Sequence, residues 1–231
     1  AYNKNSGTGA AYVFLREGPG FKQVAKLVAS DAATGTNFGT SVAIDKNLIV
    51  VGCPKTSGGG FGNSGGAYVF TNPQGNTWQQ VAKLNALDAQ QLDNFGNSVD
   101  ISGTNIAVGA NLDDLSTATD AGAVYVFTSI SQLPQGPWVQ VAKDVRSAPA
   151  TNDWLGYSVS ISGANVMAGA FKANPGAAAG GGLGIFGDVS DSLYNVNANM
   201  STGSQAQNLQ QAIASASGGQ TVVGSAGAFG Q

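Results

Sequence analysis

An all-β fold is predicted by three observations. The sequence repeats about every 57 residues, apolar residues alternate with a period of two inside each repeat, and Gly/Asn/Asp-rich turns separate the alternating runs. The phrase GAAYVF (9–14) returns as GGAYVF (65–70), GAVYVF (122–127) and, degraded, GGLGIF (181–186). Its last residue falls at Phe14, Phe70, Phe127 and Phe186, in steps of 56, 57 and 59. A period in this range marks a stacked or circular array of one supersecondary unit.

Taken in order, each repeat reads as four strands. In SVAI (41–44), Val42 and Ile44 share one face and Ser41 and Ala43 the other; Val99 with Ile101 and Val159 with Ile161 repeat the pattern. That is the signature of a strand with one apolar face. Asp45-Lys46-Asn47, Ser102-Gly103-Thr104-Asn105 and Ser162-Gly163-Ala164-Asn165 follow, and such residues suit hairpin turns that need positive φ. The second strand alternates again (Ile49 with Val51, Ile106 with Val108, Val166 with Ala168) and ends at Gly52, Gly109 and Gly169. A long loop leads to the third strand, the YVF phrase. The fourth is FKQVAKL (21–27), WQQVAKL (78–84) and WVQVAKD (138–144). Four antiparallel strands without an intervening helix form the blade of a β-propeller. A helical solenoid is excluded because no part of the repeat has a 3.6-residue period, and a β-helix would use shorter rungs.

The whole chain, 1–231, reads as one repeat region, clear over 1–187 and degenerate over 188–231. Ser217–Gly224 aligns with Ser102–Gly109, which gives about four blade equivalents; SQAQNLQQAIA (204–214) has the composition of a short helix. The chain enters at the third strand and leaves after the second. Two arrangements suit that phase: a closed four-blade ring whose last blade combines both termini, or a part of a larger propeller or array. The absence of a start signal or capping segment favours the second.

Composition narrows the function. Only 10% of residues are charged, against about 25% in an average soluble domain. The net charge is −3, which argues against nucleic acid as a partner, since that needs clustered Lys and Arg. No apolar run approaches the length of a membrane span, so membrane insertion is not expected. The chain holds no histidine, which removes Ser-His and Cys-His nucleophile pairs and the usual zinc sets. Glu17 is the sole glutamate, and nothing marks out a carboxylate pair for glycoside hydrolysis. The single Cys53 stands where other copies have Ala110 and Ala170, as a small buried residue would.

The ordered phrases FG, SVxI, VGA or VGCP, YVF and VAKL resemble the FG-GAP repeat in the form common in secreted microbial proteins, and more distantly the propeller of integrin alpha subunits. The resemblance implies a β-propeller, often of seven blades, an extracellular or cell-surface location, and roles in adhesion or ligand binding. It implies no reaction. The chain departs from the family in having four repeat equivalents and in lacking the Asp-x-Asp-x-Asp-Gly calcium loop of many relatives.

The candidate sites follow. Asp113, Asp114 and Asp120, in the loop after Gly109, could supply oxygen ligands to Ca²⁺, although the loop lacks alternating ligands and a central Gly and reads better as a solvated acidic loop. No other cofactor is indicated. Asp31 and Asp88 recur seven residues before the FG position, where an Asp commonly bonds the local backbone. Phe38, Phe95 and Leu155 are expected to pack between blades. Trp78, Trp138 and Phe21 open the outermost strand and could shield the blade rim or form an exposed contact stripe for a partner. Lys26, Lys83 and Lys143 recur on that strand as guards against stray pairing. Asn199 heads the only glycosylation sequon, relevant in a eukaryotic host. Together these point to a non-catalytic extracellular structural or adhesion module with protein partners or self-association, such as a subunit of a surface layer, sheath or filament. The alternatives are a lectin-like propeller that binds glycans and, more remotely, a propeller-fold hydrolase.

Overall fold

In the computed structural model the described residues are 7–186 apart from 59, 74, 76, 132–135 and 174–182. Period-two alternation becomes strand throughout, and every element among the described residues is β. β1 (Ala11–Glu17) and β2 (Gly20–Leu27) form an antiparallel hairpin. β3 (Val42–Asp45), β4 (Leu48–Gly52), β5 (Ala67–Thr71) and β6 (Gln79–Leu84) make a first full sheet in chain order. β7 (Phe95–Ser102), β8 (Asn105–Ala110), β9 (Ala123–Ser129) and β10 (Trp138–Asp144) make a second. β11 (Leu155–Ser162), β12 (Asn165–Ala170) and β13 (Leu183–Phe186) make a three-stranded third. The four-stranded antiparallel sheets have the form of propeller blades. The degenerate repeat, the 204–214 helix and Asn199 lie outside the described residues.

Register repeats with the sequence. Ile49 pairs with Phe70, Ile106 with Phe127 and Val166 with Phe186. The first turns are two residues long, and Lys46, Gly103 and Gly163 adopt φ of 52°, 60° and 59° there. This is the positive φ that the Gly/Asn/Asp composition foretells.

The cores lie between successive sheets. Leu48, Val50 and Val69 of the first full sheet pack with Val99, Ile101, Ile106 and Val108 of the second. Ala107, Val124 and Val126 of the second pack with Ile161, Val166 and Ala168 of the third. As expected, Phe38, Phe95 and Leu155 are buried at these seams; Phe38 and Phe95 meet the Tyr and Phe of the third strand edge-on.

A glycine joint sets the distance between sheets. Gly96 and Gly156 adopt φ of 89° and 81°, a region open to glycine at little cost. A Cβ on Gly52 would lie 2.0 Å from the Gly96 carbonyl oxygen, and one on Gly109 would lie 2.0 Å from that of Gly156. Ser41 Oγ donates to the Gly96 carbonyl at 2.9 Å and Ser98 Oγ to that of Gly156 at 2.8 Å. The FG glycine, the serine of SVxI and the glycine ending the second strand are thus one contact, repeated.

The alternating faces are not all covered. Val99 and Ile101 are 8% and 6% exposed, but Val42 and Ile44, at the same repeat positions, are 59% and 61% exposed. The cover over Val99 and Ile101 comes from β4 of the preceding sheet. The hairpin before β3 has no such strand among the described residues.

Candidate functional site

The repeated polar residues converge in two clusters of similar build. Tyr68 on β5 lies directly opposite Lys83 on β6, and Tyr125 on β9 directly opposite Lys143 on β10. Each ammonium stands over its tyrosine ring, 5.4 and 5.3 Å from the centroid, within the range of a cation–π contact. An aspartate from the loop entering the sheet closes each cluster. Tyr68 Oη donates to Asp31 Oδ1 at 2.7 Å and Lys83 Nζ to Asp31 Oδ2 at 2.7 Å. Tyr125 Oη donates to Asp88 Oδ1 at 3.0 Å and Lys143 Nζ to Asp88 Oδ2 at 2.6 Å.

Two sequence expectations are corrected here. Asp31 and Asp88 are more than local backbone braces; they reach side-chain partners 37 or more positions away. Lys83 and Lys143 are not bare edge guards, because each is turned inward onto a carboxylate and a ring. The third repeat has Ala148 in place of the aspartate and Gly184 in place of the tyrosine, so both partners are lost together. Tyr12 and Lys26 repeat the cross-strand pair on the hairpin, with no carboxylate beside them among the described residues.

The clusters differ at one position. Thr56 Oγ1 lies 3.4 Å from Tyr68 Oη, whereas its counterpart Asp113 presents Oδ2 2.5 Å from Tyr125 Oη. Asp113 also lies 2.9 Å from Lys143 Nζ and is fully buried. Of the three calcium candidates, Asp113 thus faces the sheet interior beside the Lys143 ammonium. Asp114 Oδ1 accepts from the backbone NH of Asp120 at 2.8 Å, which makes that pair a loop brace. Among the described residues no group of three or more acidic or cysteine side chains is arranged to hold a metal ion.

The electrostatics follow burial. Burial pushes the Asp31 carboxyl upward, but bonds from Lys83 and Tyr68 outweigh it and hold the carboxyl below its usual range. Lys143 loses hydration, yet Asp113 and Asp88 raise its pKa and keep it charged. Burial, with Asp113 and Asp88 beside it, drives the Tyr125 hydroxyl far above its ordinary value. Asp93, deeply buried, is pushed up to about 7 by desolvation, although its Oδ2 accepts from the Gln90 NH at 2.6 Å. Its counterpart Asp153 instead pairs with Arg146. The Cys53 thiol is buried as expected, donates to the Thr36 carbonyl at 3.1 Å, and is pushed up to about 11 by burial.

The suggested partner stripe divides. Trp78 and Trp138 are half-buried against the cores, while Phe21 is 74% exposed. Sequence reasoning missed a different aromatic group. Trp154, Tyr157 and Phe171 stack with centroids 4.7 to 6.3 Å apart, and Lys172 Nζ stands 3.3 Å over the Trp154 ring. Trp154 has φ of 59°, where the other repeats place Asn37 and Asn94. Asn tolerates that region and a bulky residue is strained in it. A tryptophan at an asparagine position was the available signal.

Among the described residues no helix is long and apolar enough to cross a membrane. Two stretches, 21–70 and 78–127, match the FG-GAP repeat, so the chain carries FG-GAP repeats in tandem, each running from a fourth strand through the next third strand. A search of curated proteins gives no match.

Proposed function

We propose that this FG-GAP repeat chain is a β-propeller module acting outside the cell as a non-catalytic structural or adhesive element, of the kind that builds a surface layer, sheath or filament. One observation carries the reading. In the two full sheets the recurring Asp, Tyr and Lys are engaged with each other, Asp31 and Lys83 with Tyr68, and Asp88 and Lys143 with Tyr125. Repetition is therefore spent on building the sheets, which leaves variable loops and rims as the working surface. The extracellular location is supported by the FG-GAP match, since these repeats are typical of extracellular proteins. The low charge, 10% of residues, favours association over mutual repulsion. Sedimentation velocity across a hundredfold range of protein concentration tests this, with larger species expected as concentration rises. A strict monomer at every concentration, together with no retention on cell-wall or matrix material, would remove the structural and adhesive reading.

The lectin-like alternative has one specific support, the stack of Trp154, Tyr157 and Phe171, in which Tyr157 and Phe171 are 44% and 65% exposed. Flat exposed rings of this kind can lie against the apolar face of a sugar. A glycan array with wild type and Tyr157→Ala separates the readings: a reproducible sugar signal lost in the variant selects the lectin.

A further inference from the structure

The second cluster holds a lysine nitrogen against the carboxyl group of a buried aspartate. Lys143 Nζ lies 2.9 Å from Asp113 Oδ1 and 3.0 Å from Asp113 Oδ2. Near-equal distances set the nitrogen in the plane that bisects the carboxyl group and contains its carbon. Asp113 is fully buried and Lys143 largely so. Among the described residues Asp113 Oδ1 accepts no hydrogen bond. A buried carboxylate in a settled ion pair has its oxygens satisfied, and here one is not.

Two groups beside the pair are placed to move its protons. Asp88 Oδ2 accepts from Lys143 Nζ at 2.6 Å. Tyr125 Oη stands between the two carboxyl groups, 3.0 Å from Asp88 Oδ1 and 2.5 Å from Asp113 Oδ2. A hydroxyl has one proton and serves one carboxylate at a time, so the two contacts form a path for a proton between Asp88 and Asp113. Burial raises the Asp113 carboxyl, which favours its neutral and more electrophilic form. Lys143 is held charged by Asp113 and Asp88, so its nitrogen must first give up a proton, and Asp88 is the acceptor at hand.

We propose that Lys143 and Asp113 condense into an intramolecular amide, a covalent staple from the outer strand β10 to the loop between β8 and β9. The ammonium passes one proton to Asp88 Oδ2, which frees the Nζ lone pair. Nζ attacks Asp113 Cγ, and the C–N bond forms. The Cγ–Oδ2 bond breaks, and Oδ2 leaves as water with two protons from Nζ, one direct and one returned from Asp88 through Tyr125. The third proton stays on the amide nitrogen. An ammonium and a carboxylate thus become an amide and one water, with no oxidant, reductant or further reagent. Between separate molecules in water this condensation is poorly favoured. Within one fold the effective concentration of a held partner reaches about 10⁵ M or more, and a buried site shuts out the water of the reverse reaction. The first cluster supplies the contrast. Lys83 meets Asp31, which is 46% exposed, and Thr56 stands where Asp113 would be. With no buried carboxyl group beside it, Lys83 stays a free amine.

Mass spectrometry of the folded full chain tests this without any substitution. The intact mass is expected to fall short of the sequence mass by one water. Tryptic digestion is expected to leave Lys143 uncut and joined to the peptide that carries Asp113, while Lys83 is cleaved. A folded chain still at full mass after prolonged incubation overturns the proposal. So does a water lost elsewhere, as from a cyclised aspartate, or a link made through Asp88 or Lys83. Asp113→Thr, which copies the first cluster, is expected to keep the full mass, and a water lost at Lys143 in that variant would also count against the staple. Asp88→Asn leaves Lys143 beside Asp113 but removes the proton carrier, and is expected to slow linkage about a hundredfold. Linkage at the wild-type rate in that variant would overturn the part given to Asp88. The wild-type measurement decides even where a variant fails to fold.

Discussion

Val42 and Ile44 begin the first full sheet as Val99 and Ile101 begin the second, with the same residue types at the same repeat positions, and yet the first pair is open to solvent and the second buried. The difference owes nothing to the strands themselves. It comes from whether a second strand of the preceding unit lies across them. A repeat of this kind does not bury its own apolar face but that of its neighbour, which is the energetic basis of coupling along a repeat array. The polar clusters make a related point: one substitution, Thr56 to Asp113, turns a cluster with one carboxylate into one with two around a single lysine.

The largest effect is expected in the second cluster. Lys143→Met leaves the fully buried Asp113 and its neighbour Asp88 without a cation. Loss of one partner from a buried pair costs about 3–5 kcal/mol. Lys83→Met strands only the more exposed Asp31 and should cost about 1 kcal/mol. Urea unfolding of the two variants measures the gap, and equal losses would show that the extra carboxylate carries no weight.

Next come the two seams. Ile101→Ala should cost about 2–5 kcal/mol, as for other buried isoleucines. Ile44→Ala, at a position 61% exposed, should cost about 0.5 kcal/mol or less. The same denaturation experiment reads both, and equal losses would show that Ile44 is covered as Ile101 is.

The remaining effect concerns pH. Thr36, Asp93 and Asp153 are counterparts; Asp153 has Arg146, whereas Asp93 has no ion-pair partner among the described residues and is pushed up to about 7 by desolvation. Its folded pKa lies above the ordinary carboxylate value, so the folded state holds the proton more tightly. The contribution to stability is full below about pH 4 and is lost as pH rises through about 7. Asp31, with a lowered pKa, acts with the opposite sign and below that window. The wild type should therefore lose stability relative to Asp93→Asn between pH 4 and 8. Parallel curves would show that Asp93 is ionised throughout.

Much of this was legible in one sequence because the repeat displays its own tolerance. Period-two alternation placed the strands, and Asn/Gly turns placed the hairpins. The exchange of Phe for Leu at 38, 95 and 155 pointed correctly to packing, and Ala110 and Ala170 explained Cys53. The clusters were less legible. Asp31 and Tyr68 are 37 positions apart, and no local rule links them. The signal lay in the joint recurrence of Asp, Tyr and Lys, and in their joint loss at Ala148 and Gly184. Asp113 was misread because a loop aspartate looks alike in sequence whether it meets water or a buried lysine. Trp78 and Trp138 had two readings, a shield for the blade rim or a contact stripe, and their packing against the cores fits the shield: the start of an outer strand can still lean over its sheet.

By itself the sequence determined the local elements, since strand, turn and register follow from side-chain alternation and backbone freedom within a few residues. It also determined the glycine joint, because the two contacting glycines recur in every clear repeat. Only the tertiary structure decided which carboxylates are neutralised, which apolar faces are covered and where aromatic rings gather. Those outcomes depend on a neighbouring unit, some 57 residues away in the chain, filling or leaving empty the space beside each strand.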